Sequence, residues 1–216
     1  VGIMGVIAGI IILSFYSVIA GWSLSYIAHA ALNHFAGADA DLVNGLFGSM
    51  LGNWKVLALW HTLFMIITVW VVARGVERGL ERAVRFLMPS LAVLMVALLG
   101  YAIINGDFRA GVAFLLEPDF SKLTGEAMLA ALGQAFFSLS IGMGAIMAYG
   151  AYLPEGTSIA NTSISVVIAD TAMALLAGLA IFPIVFAHAM DPGAGPGLIF
   201  QTLPLAFGNM VGGHLF

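Results

Sequence analysis

Five long stretches of this chain carry no Lys, Arg, Asp or Glu, and they govern everything else it can fold into. They run Val1 to Ala38, Val56 to Ala73, Phe86 to Gly106, Ala127 to Pro154 and Gly156 to Met190, the last broken only by Asp170. A bilayer core is crossed by about 20 apolar residues in helical form. None of the stretches alternates polar and apolar residues with period two, so a transmembrane β-barrel is disfavoured and helices remain. Trimmed of their loop ends, the expected spans are about 3–28, 56–73, 86–105, 127–153 and 159–187. Composition agrees: 62% of residues are apolar and 8% charged, against roughly 45–50% and about 25% in an average soluble domain. Mean hydropathy is +1.07. So much apolar surface cannot be hidden from water in 216 residues.

Several function classes drop out. Seven Lys and Arg residues make no phosphate-neutralising face, so no nucleic-acid partner is expected. Cysteine is absent, which removes disulfides and thiolate metal sites. No nucleophile elbow, phosphate loop or His-Glu-x-x-His motif is present, so no catalytic residues are assigned and the chain is not read as an enzyme. Residues 1–12 lack a basic n-region and a cleavage site, and read as part of a true span. The chain starts mid-hydrophobic without Met, as a piece of a longer protein would.

Orientation follows the arginines. Arg74, Arg78, Arg82 and Arg85 crowd one short loop, which places it in the cytoplasm. The segments at about 29–54 and 105–126 are then external, and 154–160 is internal. Glu77 and Glu81 among the arginines fit either a short polar helix or a solvated charged loop. After the fifth span comes a Gly/Pro-rich run from Asp191, then an external amphipathic segment, 197–210, too short to span. The histidines do not group: His29 and His34 lie near a helix end, His61 and His188 at span ends, and His214 in the tail. Each reads as an interface residue rather than a ligand.

Two features carry chemistry. Asp170 is the one ionisable acid or base inside a span, and an intramembrane carboxylate is costly unless paired; it is either functional or held by a neighbouring helix for structure. The second is Gly133-Gln-Ala-Phe-Phe-Ser-Leu-Ser-Ile-Gly-Met-Gly144. Its 28-residue stretch would be about 42 Å long as a straight helix, against a core of about 30 Å. Tilt, or a break at Gly142 and Gly144, accommodates the excess. A break frees carbonyls beside Ser138 and Ser140 as oxygen ligands; the other reading is small-residue helix packing. Hydroxyl, carbonyl and one carboxylate make a hard site suited to a monovalent cation.

The same segment, Gly133 through Ile146, resembles the sixth transmembrane helix of the neurotransmitter:sodium symporter family, in the style of its bacterial sodium-dependent amino-acid transporters. Other segments agree in order: Ser14–Trp22 is similar to the third helix, Arg74–Arg82 with Met88-Pro89 to the loop between helices four and five, Pro118–Leu123 to the loop before helix six, Ala177–Pro183 to helix seven, and Gly195–Phe200 with Leu203-Pro204 to the fourth external loop.

The resemblance implies an all-α integral membrane fold: five transmembrane helices, part of the inverted-repeat sodium symporter fold, with the fourth helix broken. The broken-helix site at the bilayer midplane is the family's property, not one read from these residues. It corresponds to helices three to seven, so the remaining helices of the same protein become partners, and a homodimer is open. It implies sodium-coupled symport of amino acids, hydrophobic ones by preference, across the cytoplasmic membrane. Carried over residue by residue, Tyr16 meets the substrate carboxylate and Ile12, one turn earlier, lines the side-chain pocket. Phe137 is an external lid, and Tyr152 lies near the cytoplasmic gate. Ser138 is a sodium and substrate contact; Ser140, Gly142 and Met143 belong to the unwound substrate-contacting stretch. Asp170, 32 residues after Ser138, is a sodium ligand where many members carry Asn. A register shift near Pro183 would move it to the charge-compensating position one turn later. Either way it supplies the negative charge itself, which implies no need for chloride, and Na⁺ is the only cofactor. The rival readings are a proton-coupled carrier or channel using Asp170, and a transport-incompetent structural fragment.

Overall fold

The structure is a computed structural model describing residues 2–193 and 195–209, without the side chains of 76–78 and 196. His214 and the last residue of the 197–210 segment therefore lie outside the described residues. All regular structure among the described residues is helical. In order, the elements are α1 (Gly2–Ala31), α2 (Ala40–Leu51), α3 (Trp54–Val72), a π-helical turn (Val76–Glu81), α4 (Arg82–Asn105), α5 (Phe108–Leu116), a 3₁₀ turn (Phe120–Lys122), α6 (Gly125–Ser138), α7 (Ala145–Gly150), α8 (Ile159–Ala187) and α9 (Pro196–Asn209).

Four helices among the described residues are long and apolar enough to cross a membrane: Gly2–Ala31, Trp54–Val72, the run Gly79–Asn105 and Ile159–Ala187. Almost none of their apolar surface is buried within the chain. In water that exposure would be prohibitive; against lipid tails or neighbouring helices it costs nothing. The fourth apolar stretch, Ala127 to Pro154, is not one helix. It divides into α6 and α7 around residues 139–144, so the excess length is taken up by a break rather than by tilt alone.

The chain forms two compact units. One comprises residues 1–14 and 116–175, the other 15–115 and 176–216. The first contains the start of α1, α6, α7 and most of α8. The second holds the well-packed cores. Leu98 and Ala102 of α4, Ala180 and Ile184 of α8 and Ala206 of α9 form one cluster. Phe47 and Met50 of α2 meet Phe200 of α9 in another, with Trp22 and Tyr26 of α1 against it. Close approach depends on glycine at several points, Gly21 and Gly111 among them: a Cβ on Gly21 would stand 2.9 Å from the backbone nitrogen of His61, and one on Gly111 would stand 2.6 Å from the Pro183 ring. Pro183 lacks an N–H for the helical ladder, and its own carbonyl accepts the Asp107 N–H at 2.9 Å.

The segments expected as external loops contain two short helices, each started by an aspartate. Asp39 Oδ1 accepts the Leu42 N–H at 2.8 Å and begins α2. Asp107 Oδ1 accepts the Ala110 N–H at 3.0 Å and begins α5. These are N-cap bonds of the expected kind. In the arginine-rich segment the chain takes the helical alternative: the π-helical turn leads into α4, Arg85 pairs with Glu81, and the Arg74 guanidinium lies 3.5 Å from the centre of the Trp70 ring.

Candidate functional site

The candidate site lies within the first unit. Helix α6 begins at Thr124, whose hydroxyl accepts the Ala127 N–H at 3.2 Å. It ends in a C-terminal motif: Ile141 N–H donates to Phe136 O at 2.8 Å and Ser140 N–H to Phe137 O at 3.0 Å. That pairing needs a left-handed residue, and it is Ser140, at φ 54. A left-handed non-glycine costs roughly 1 kcal/mol, and such residues gather at functional sites. Gly142 (φ 85) and Gly144 (φ 78) continue the irregular path, and α7 starts after Gly144. The carbonyls of residues 139–143 are thereby outside any helical ladder.

Asp170 stands on the neighbouring α8, eleven residues beyond its first residue, Ile159. Ser138, at the last turn of α6, donates its hydroxyl to Asp170 Oδ2 at 2.6 Å. A length this short is characteristic of a hydroxyl bonded to a carboxylate. The two residues singled out as oxygen ligands, 32 positions apart, therefore form one hydrogen-bonded pair at the edge of the break. Ser138 is exposed and Asp170 half-buried. Hydroxyl, carboxylate and nearby non-helical carbonyls offer oxygen ligands only. That donor set suits a hard cation of low charge.

Met143 lies in the break against α1: a Cβ at Gly5 would be 3.4 Å from both the carbonyl carbon and oxygen of Met143. Gly5 is a contact the sequence reading missed; its one signal is the Gly5/Gly9 spacing, which lets backbones approach. Ser140 and Gly142 are in the break itself. Phe137 is on the last turn of α6, and Tyr152 follows α7 in an exposed turn. Ile12 and Tyr16 share one face of α1 at four-residue spacing, half-buried and exposed respectively. Ile12 belongs to the first unit and Tyr16 to the second. The structure thus brings Ser138 and Asp170 together and puts Ser140, Gly142 and Met143 on one irregular segment.

One grouping corrects the sequence reading. His29 and His34 pair, their Nδ1 atoms 2.8 Å apart. Spacing by helical period hides this, because the chain reverses between them at left-handed Asn33.

A family model described as the sodium:neurotransmitter symporter family matches residues 30–216. A sodium-dependent transporter of Bacillus subtilis, YhdH, is 41% identical over 215 residues, which is 100% of this chain and 48% of that protein. The sodium- and chloride-dependent creatine transporter 1 of Bos taurus is 28% identical over 161 residues, 68% of this chain and 25% of its own. The crystal structure of MhsT in complex with L-phenylalanine is similar with a TM-score of 0.92 and 44% identity, over 99% of this chain and 49% of that one. The chain spans about half the length of the curated bacterial relatives it matches. With the match covering all but the first 29 residues, the chain belongs to the sodium:neurotransmitter symporter family.

Proposed function

We propose that this chain is part of a sodium-coupled importer of amino acids, hydrophobic ones by preference, in the cytoplasmic membrane. The observation that carries the reading is the Ser138–Asp170 hydrogen bond at the edge of a helix break. Ser138 and Asp170 contribute oxygens to a sodium ion, and the substrate carboxylate completes the coordination. Sodium and substrate then strengthen each other's binding by the same factor. Tyr16 holds the substrate carboxylate, and Ile12, Ser140, Gly142 and Met143 line the substrate. Phe137 closes above it and Tyr152 belongs to the gate on the other side. Met is adaptable, which suits bulky apolar side chains. L-Phenylalanine, present in the MhsT structure, is the first substrate to try.

Chloride is not required in this reading. Relatives such as creatine transporter 1 are named sodium- and chloride-dependent; here Asp170 brings a fixed negative charge to the ion.

The test is L-phenylalanine binding to the full-length protein in detergent, in sodium against potassium and with chloride replaced by gluconate. Sodium-dependent binding that survives chloride removal is expected. Binding indifferent to sodium, or binding that follows pH without sodium, would overturn the assignment in favour of a proton-coupled carrier or a channel.

A further inference from the structure

We propose that His29 and His34 form a two-histidine binding site for a divalent transition-metal ion of the zinc and copper class. This site is independent of the transport reading and is built by the way α1 ends. The His34 N–H donates to the His29 carbonyl at 3.0 Å and the Asn33 N–H to the Ala30 carbonyl at 2.8 Å. Asn33 is left-handed, at φ 58. This is the paired arrangement of a Schellman cap. In such a cap the side chains three residues before and two residues after the helix end face each other, normally as an apolar contact. Here both are imidazoles. Their rings are 5.1 Å apart between centroids and tilted by 50°, and their Nδ1 atoms face each other at 2.8 Å.

Two Nδ1 atoms at that distance must share one proton, since two N–H groups cannot point at each other. A metal ion replaces that proton. Zinc sits about 2.0–2.1 Å from imidazole nitrogen, so two ligands at a tetrahedral angle stand on the order of 3.3 Å apart. The nitrogens need only separate by about half an ångström, which a small ring rotation supplies. The backbone cap has already brought the two ligands together, so little ordering entropy remains to oppose binding.

The choice of ion follows from the ligands. Imidazole nitrogen selects zinc, copper and nickel over calcium and magnesium, which want oxygen. His34 is exposed and His29 half-buried, so the pair is reachable from solvent. The ring of Phe35 lies 6.2 Å from that of His29 and limits approach on one side. Among the described residues no group of three or more His, Cys, Asp or Glu gathers there. Water therefore fills the remaining positions, and the ion exchanges rather than holding the fold together. The turn that carries the pair is also tied to α9, through Gly37 N–H to Gly208 O at 2.9 Å. Metal binding stiffens the seat of that helix.

Zinc titration of the untagged full-length protein in detergent, followed by calorimetry, tests this, with Cu²⁺ electron paramagnetic resonance on the same samples. One saturable zinc equivalent is expected, with nitrogen hyperfine structure from two imidazoles in the copper spectrum. His29→Ala and His34→Ala should each weaken zinc at least tenfold, and the copper spectrum should lose one nitrogen. Asn33→Gly keeps the left-handed cap and should bind as the parent does. Apo thermal unfolding identifies any variant that fails to fold, and His34→Gln then replaces it. No saturable zinc binding by the parent, or equal affinity in folded variants lacking either histidine, overturns the proposal.

Discussion

Removing the Ser138 hydroxyl is the sharpest way to probe the site. Its hydrogen bond to Asp170 is 2.6 Å long and charge-assisted. Bonds to a charged group contribute about 1.5–3 kcal/mol. If the bond orders both oxygens for sodium, Ser138→Ala loses that organisation as well as one ligand. At 1.4 kcal/mol per tenfold, sodium affinity should fall roughly 10- to 150-fold. Asp170→Ala should be more severe, because it removes the charge. The pair is coupled only if the two losses fail to add. With Asp170 already alanine, Ser138→Ala should cost clearly less than it does in the parent, because the organising bond is already gone and only the direct ligand is left to lose. The assay is sodium dependence of L-phenylalanine binding in the full-length protein, for the parent, both single variants and the double. Additive losses, or a Ser138→Ala variant with unchanged sodium affinity, would refute the reasoning.

Two further outcomes follow from packing and charge. Gly111→Ala places a methyl 2.6 Å from the rigid Pro183 ring; overpacking costs about 1–3 kcal/mol, less about 1 kcal/mol regained from helix propensity, so thermal unfolding in detergent should show net destabilisation. Asp119, exposed, has its carboxyl held below the ordinary 3.8 by its hydrogen bond from the Ser121 hydroxyl, then by Lys122. A depressed carboxyl stabilises its fold above the unfolded value and loses that contribution as pH falls through the folded one. Protection factors for amide exchange around 119–124, corrected for the intrinsic rate, should therefore fall below about pH 4, and Asp119→Asn should abolish that pH dependence.

The membrane class was legible without coordinates, and the break was legible as one of two alternatives that the family resemblance favoured. Charge-free stretches of membrane length admit little but helices in lipid, and a 28-residue apolar stretch interrupted by Gly142 and Gly144 has nowhere to put its excess but a tilt or an interruption. Asp170 was legible too, because a lone carboxylate in an apolar helix cannot be accidental composition. Helices α2 and α5 were also written in the chain, as Asp39 and Asp107 each three residues ahead of the N–H they cap. That signal is faint, because short helices carry a weak periodicity beside long apolar ones.

What the chain alone determined, then, is local: which segments must be helical, which of them is too long to cross straight, and which side chains are too polar for their surroundings. Tertiary structure decided the rest, because contacts between residues far apart depend on how helices are placed and leave no period in the sequence. Ser138 reaches Asp170 across 32 positions only when α6 and α8 are side by side. Gly5 reaches Met143 only when the break lies against α1, and Gly111 reaches Pro183 only when α5 folds onto α8. The histidine pair stands between the two cases. Its partners are five residues apart, but a left-handed turn at Asn33 was needed to face one ring with the other.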